Sequence, residues 1–423
     1  MLPAYAGFFL RYIDAMRAFN VQVIFAGLIA SLCSSAVPAA DIPAPIGLDI
    51  RPVASSSEAA NPSVAIDAAE LSALRVAVSQ AEAKQAKLGP YDPTLANVWL
   101  SLANRALALG DEAQAGALFQ RSIHNLRLNE GLTSPTQIDA LDNWIESLRR
   151  SGDNTALGNI LTYRYRLAGF GAETWTRERV AYAVDFLDHK LYELTQGNWL
   201  NREREILWLL EHVSNATDKA CFQPTSSIEW CRPLAKRHLA TLYFVEHRVT
   251  PFVEDQRELY FPPPRNFRDP SEAYRLEYEE SRAIREGSRL LQRLEELAES
   301  KDVEIALLHA DWQWIHGRNI DAIRRYQSIW AQEPEALLEP VPLPWGLGAS
   351  TSTIVEKGEK PSALLSYKVS VFGKPRNIVE LDAEDSSGQR VRKALRKLKF
   401  RPAFVDGERI ESEQTQRFEL LDP

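Results

Sequence analysis

Hydrophobic positions along this chain follow two different periods. From Ala65 to Glu333 apolar residues recur at helical spacing, interrupted at Gly-Asp, Pro and Asn positions. From Leu364 onward the spacing changes. Leu365, Tyr367, Val369 and Val371 alternate with Ser366, Lys368 and Ser370, the pattern of a half-buried strand. Gly373 breaks that run, and Arg376 to Leu381 predicts a second strand. Val391, Ala394, Leu395 and Leu398 then fall on one helical face between Gln389 and Leu398. Phe400 to Val405 is extended again, Asp406-Gly407 predicts a tight hairpin, and Ile410 to Leu420 predicts a closing strand. The predicted order of strand, strand, helix and closing hairpin describes a compact α+β domain over 361–423.

The helical stretch, 65–333, repeats internally. Pro93 and Pro135 lie 42 positions apart, as do Gly110-Asp111 and Gly152-Asp153, and the apolar positions Ala103 and Phe119 are matched by Ile145 and Leu161. Gly317, Ala322, Tyr326 and Pro334 stand at the spacing of turn glycine, small packing residue, aromatic and terminal proline, and Gly110, Ala115 and Phe119 share it. Glycine lets the chain turn, alanine lets two helices approach, and the aromatic fills the groove beside them. This stretch resembles a tetratricopeptide array. Between Thr174 and Ser300 no register holds: Pro262-Pro263-Pro264 interrupts it, and Ser271 to Ser300 predicts one long charged helix. Two aperiodic stretches flank the array: a flexible linker at 41–64 and a Pro/Gly-rich linker at 334–360. The expected fold is mainly α, a tetratricopeptide-like α-solenoid followed by the small α+β domain.

Composition changes this picture in two places. The net charge of −8 argues against nucleic acid as a partner, yet the charge is uneven. Pro361 onward carries 12 basic and 10 acidic residues, against 37 and 47 before it. Arg390, Arg392, Lys393, Arg396, Lys397 and Lys399 form a basic helix face, read as solvated surface ahead of an anionic lipid or acidic-partner site. Second, residues 1–40 run from Met16-Arg17 through the apolar Val21–Leu32 to small residues ending at Ala39-Ala40. That order predicts a secretory signal peptide cleaved after Ala39 or Ala40, with an uncleaved membrane anchor as the alternative. Leu32 before Cys33 is too large for a lipoprotein site. Export leaves two cysteines, Cys221 and Cys231, and an oxidising compartment predicts a structural disulfide between them.

Candidate chemistry is sparse. The chain lacks G-x-S-x-G, a phosphate loop and H-E-x-x-H, so no catalytic, cofactor or metal residues are expected and the chain is read as a non-enzyme. His309 and His316 share a helical face near Asp311, but read as packing or surface histidines. Trp312, Trp314 and Trp330 read as core.

The C-terminal motifs carry the sharper signal. Val369–Phe372, Gly373, Ser386-Ser387-Gly388, Phe400-Arg401-Pro402-Ala403, Asp406-Gly407 and Phe418-Glu419-Leu420 occur in the order and spacing of the TonB family C-terminal domain, which this stretch resembles. Lys360-Pro361 stands where that family often has an aromatic-Pro pair. The resemblance implies that the final strand, Ser412, Glu413, Gln414, Thr415, Gln416, Arg417 and Phe418, offers its edge to a partner's peptide. The expected function is a periplasmic interaction or adaptor protein of the cell envelope. Its partner would be a protein, with an outer-membrane receptor or its peptide segment among the candidates, and membrane association would come only through the N-terminal segment. The alternative is a TonB-type energy transducer, held in the inner membrane, for receptor-dependent transport. Against it, no histidine precedes His124, where such anchors carry one, and a folded array replaces the Pro-rich spacer.

Overall fold

The computed structural model describes residues 50–52, 68–169, 175–196, 203–224, 226–246, 270–298, 302–344, 362–383 and 387–420. Residues 1–40, read above as a signal peptide, lie outside them. The described chain is mainly helical, with a small strand-rich region at its C-terminal end.

The 42-residue recurrence has a local physical cause. Helix α1 (Ala68–Leu88) packs on α2 (Thr94–Ala108), α2 on α3 (Glu112–Glu130), and α4 (Ile138–Ser151) on both α3 and α5 (Asn154–Leu167). Gly110 and Gly152 close α2 and α4 with positive φ, +74° and +71°. The aspartates that follow cap the next helices: Asp111 accepts from the Gln114 N–H at 3.1 Å and Asp153 from that of Ala156 at 3.0 Å. Each Gly-Asp pair is therefore a helix stop followed by a helix start. The matched positions Ala103, Ile145, Phe119 and Leu161 are all buried.

The middle of the array departs from a simple succession of helical hairpins. Helix α8 (Ile228–Phe244) packs on α6 (Arg177–Gln196), α7 (Glu203–Cys221) and α9 (Pro270–Leu297). It is buried all round from Leu234 to Phe244. Three consecutive polar residues are accommodated because successive helical positions point about 100° apart. Lys236 bonds Glu304, Arg237 clamps both oxygens of Asp188 at 2.7 and 2.6 Å, and His238 reaches Glu286 at 3.1 Å, on three different helices. A helix surrounded on every side does not show the one-sided apolar period by which repeats are registered. Helix α9 spans most of the predicted charged helix. Cys221 and Cys231 are buried at the α7–α8 turn with their Cα atoms 5.1 Å apart, within disulfide reach.

Helices α10 (Val303–Ile315) and α11 (Asn319–Trp330) turn at Gly317, φ +77°, and bury Ala322 and Tyr326 as the spacing predicts. Trp312 and Trp314 are core, while Trp330 is partly buried.

Short parts of both expected linkers are paired strands. A 3-10 turn, Pro334–Leu337, and strand β2 (Val341–Leu343) follow α11, and β2 pairs with β5 (Lys399–Arg401). Ile50–Pro52, inside the expected N-terminal linker, forms strand β1. Backbone pairing with distant segments supplies what these aperiodic stretches lack in pattern. The remainder of both stretches lies outside the described residues, save Pro344 after β2.

The C-terminal domain follows the predicted order. Strands β3 (Ser362–Val369) and β4 (Pro375–Ala383) precede α12 (Ser387–Leu395), then β5, β6 (Ala403–Val405), β7 (Glu408–Ile410) and β8 (Ser412–Leu420). Ser370 and Val371, predicted as strand, belong to the β3–β4 turn, where the Ser370 hydroxyl accepts from the Lys374 N–H at 3.2 Å. Asp406 and Gly407, φ +52° and +77°, form the two-residue hairpin between β6 and β7. Ala363, Leu365, Tyr367 and Val369 face Val391, Ala394, Leu395 and Leu398 of the α12 segment in one core, with Phe400, Phe418 and Leu420.

Candidate protein-interaction edge

The sheet order is β1-β8-β3-β4, antiparallel throughout. Strand β8 lies beside β3 along nearly its whole length, Ser412 opposite Val369 and Glu419 opposite Ser362. On the other side of β8, among the described residues, only its end is covered. Pro52 lies opposite Phe418, Arg51 opposite Glu419 and Ile50 opposite Leu420. Phe418, expected on the open edge, is therefore paired on both sides, since a three-residue strand from the far end of the chain closes the sheet there. Among the described residues, Ser412–Arg417 carry no strand on that side.

The open stretch is held by its backbone ladder to β3. Ser412, Gln414 and Gln416 alternate with the exposed Glu413 and Thr415, and none is fully buried. Arg417 reaches along the outer face, donating to Asp382 Oδ2 at 2.6 Å and to the Ser362 hydroxyl at 3.1 Å. The opposite edge of the sheet is β4. Its pairing with β3 shifts register twice, Asn377 has φ +50°, and Arg376, Glu380 and Asp382 are exposed. Irregular pairing and charge are the devices that keep edges from accepting strands. Glu413 and Arg417 give β8 some of that protection too, but its ladder is regular.

Buried polar and apolar contacts join this domain to the array. Asp311 of α10 is fully buried and accepts from Arg401 Nε at 2.8 Å and from an Arg401 terminal nitrogen at 2.6 Å. The Tyr326 hydroxyl donates to the same carboxylate at 2.8 Å, and Arg401 also reaches the Ala336 carbonyl at 3.3 Å. Burial opposes the Arg401 charge, but Asp311 outweighs it and the guanidinium pKa is raised. Burial, then Asp311, pushes the Tyr326 phenol far up. The Trp314 indole donates to the Phe400 carbonyl at 2.8 Å, and Ala310, Trp314, Tyr326, Leu337, Leu343 and Phe404 share one core cluster. Lys399 bonds the Trp314 and Ile315 carbonyls, and burial followed by Lys374 lowers its pKa. It thus leaves the predicted basic face, of which Arg390, Lys393, Arg396 and Lys397 remain exposed. Arg401 and Asp311 were not legible as a pair: 90 residues separate them, and the only signal was an arginine within Phe400-Arg401-Pro402-Ala403.

His309 and His316 do not converge. His309 faces Glu295 at 3.0 Å and His316 faces Glu246 at 2.7 Å. Among the described residues no group of three His, Cys, Asp or Glu side chains could hold a metal, and no helix is long and apolar enough to cross a membrane. A cavity of about 420 Å³ between α7, α8 and α9 is lined by Ser214, Asp218, His238, Glu286 and an arginine stripe. Arg293 donates to Asp218 at 2.5 Å, and Glu286 accepts from Ser214 at 3.0 Å with Arg282 4.0 Å away. No protein-family model matches this chain, and no curated protein matches it either.

Proposed function

We propose that this chain is an exported envelope protein that captures an extended segment of a partner protein along the free side of β8. Its C-terminal domain resembles that of the TonB family, and its helical array, tetratricopeptide-like at both ends, acts as the scaffold. The observation that carries this reading is the free side of Ser412–Arg417, a regular ladder on β3 with no strand opposite among the described residues. Unpaired N–H and C=O groups in a row are a template for strand addition. The buried Asp311–Arg401 joint supports a scaffold over a loosely tethered domain, because it fixes the edge relative to the array.

Successive N–H groups of a strand point to opposite sides. Of Thr415→Pro and Gln416→Pro, one therefore removes a donor from the β3 ladder and the other removes one from the free side. The first should lower the melting temperature. The second should leave it nearly unchanged and abolish capture of the partner in a pull-down from envelope extract. Capture that survives in a folded free-side proline variant would move binding elsewhere.

A further inference from the structure

Strand β1 sits on the side of β8 that the proposed partner needs. Beyond Pro52 some 300 residues of sequence intervene before β3, so this contact is an arm returning to a domain at the other end of the chain. The arm reproduces strand addition in antiparallel sense. It places apolar, basic and apolar-ring residues, Ile50, Arg51 and Pro52, opposite Leu420, Glu419 and Phe418.

The energetics of so short a strand are close to balanced. Ordering three residues costs backbone entropy that the few backbone hydrogen bonds of so short a strand only about offset. Pro52 has no N–H to donate, so its position adds an acceptor at most. An occupant held this weakly is exchangeable with a longer strand that also pairs along Arg417–Ser412. We infer that Ile50–Pro52 is the chain's own ligand for the β8 edge. The partner segment is then an antiparallel strand with an apolar-basic-apolar start opposite Leu420–Phe418, which continues with N–H-bearing residues opposite Arg417–Ser412 and displaces the arm. This inference rests on the strand-addition reading of β8.

The test needs no envelope partner. A fluorescent synthetic peptide with the sequence of residues 46–57 is titrated by anisotropy into the full exported chain and into its Ile50→Lys/Arg51→Glu variant. The same two proteins are compared by amide exchange at 418–420. The variant should bind the peptide about twofold or more tighter than the intact chain, and its edge amides should exchange about twofold or more faster. A peptide carrying Arg51→Glu should lose most of that binding. Equal affinity for both proteins, binding to neither, or unchanged exchange at 418–420 overturns the inference. Because partner capture plays no part in this titration, its failure leaves the proline test on Thr415 and Gln416 standing, and failure of that test leaves the titration interpretable.

Discussion

The joint between array and C-terminal domain should behave as one coupled unit, and its centre is the Asp311–Arg401 pair. The Asp311 side chain is fully enclosed and that of Arg401 is 9% exposed. Arg401→Ala strands a carboxylate in a closed site with the Tyr326 hydroxyl as its remaining donor, and Asp311→Ala strands the guanidinium with the Ala336 carbonyl. Removing one partner of a buried pair costs about 3–5 kcal/mol, because the other charge stays behind without compensation. Against a total stability of roughly 5–15 kcal/mol, each single change should be severe. The double variant Asp311→Ala/Arg401→Ala leaves no buried charge. It still strips the Tyr326 hydroxyl of its acceptor, worth about 1–3 kcal/mol. The double change should therefore cost less than the sum of the singles by at least about 2 kcal/mol. Urea unfolding of the four proteins, followed by tryptophan fluorescence and far-ultraviolet circular dichroism, gives the cycle. Single variants that each lose less than about 1 kcal/mol, or effects that add within about 0.5 kcal/mol, would refute a buried, coupled joint. Truncation before β3 should be harmful for the same reason, since it exposes Trp314 and leaves Asp311 without its cation.

Three further outcomes follow from single sites. Gly317 has φ +77° and nothing within 4 Å of where a Cβ would stand, so Gly317→Val should cost only backbone strain, about 1 kcal/mol or somewhat more, read as a lower melting temperature. Non-reducing mass spectrometry of exported protein should find Cys221 and Cys231 joined, and reduction should cost about 3 kcal/mol for so short a loop; two free thiols in folded protein would contradict this. Burial lowers the pKa of His212 to about 4 from an ordinary 6.5. The unfolded chain therefore takes up a proton that the folded one refuses, and stability should fall as pH drops from 6.5 toward 4, by up to about 3 kcal/mol. His212→Gln should flatten that slope in pH-dependent urea melts, and a slope unchanged by the substitution would reject the assignment.

The elements that could be read from the residues are those whose information is local. Alternation from Leu365 to Val369 locates a strand because one face must bury and the other must not. Gly110-Asp111 and Gly152-Asp153 mark turns because a left-handed glycine and a side-chain N-cap act within four residues of each other. Asp406-Gly407 marks a hairpin for the same reason. Helix α8 resisted registration because burial on every side removes its one-sided period. What only the tertiary structure decided is which distant segments meet: Ile50 beside Leu420, Val341 beside Arg401, and Asp311 beneath Arg401. Backbone hydrogen bonds pair strands of almost any composition, and a buried ion pair needs only one residue of each sign. Neither leaves a spacing in the chain, so the occupied end of the β8 edge and the buried joint behind it emerge only once the fold has closed.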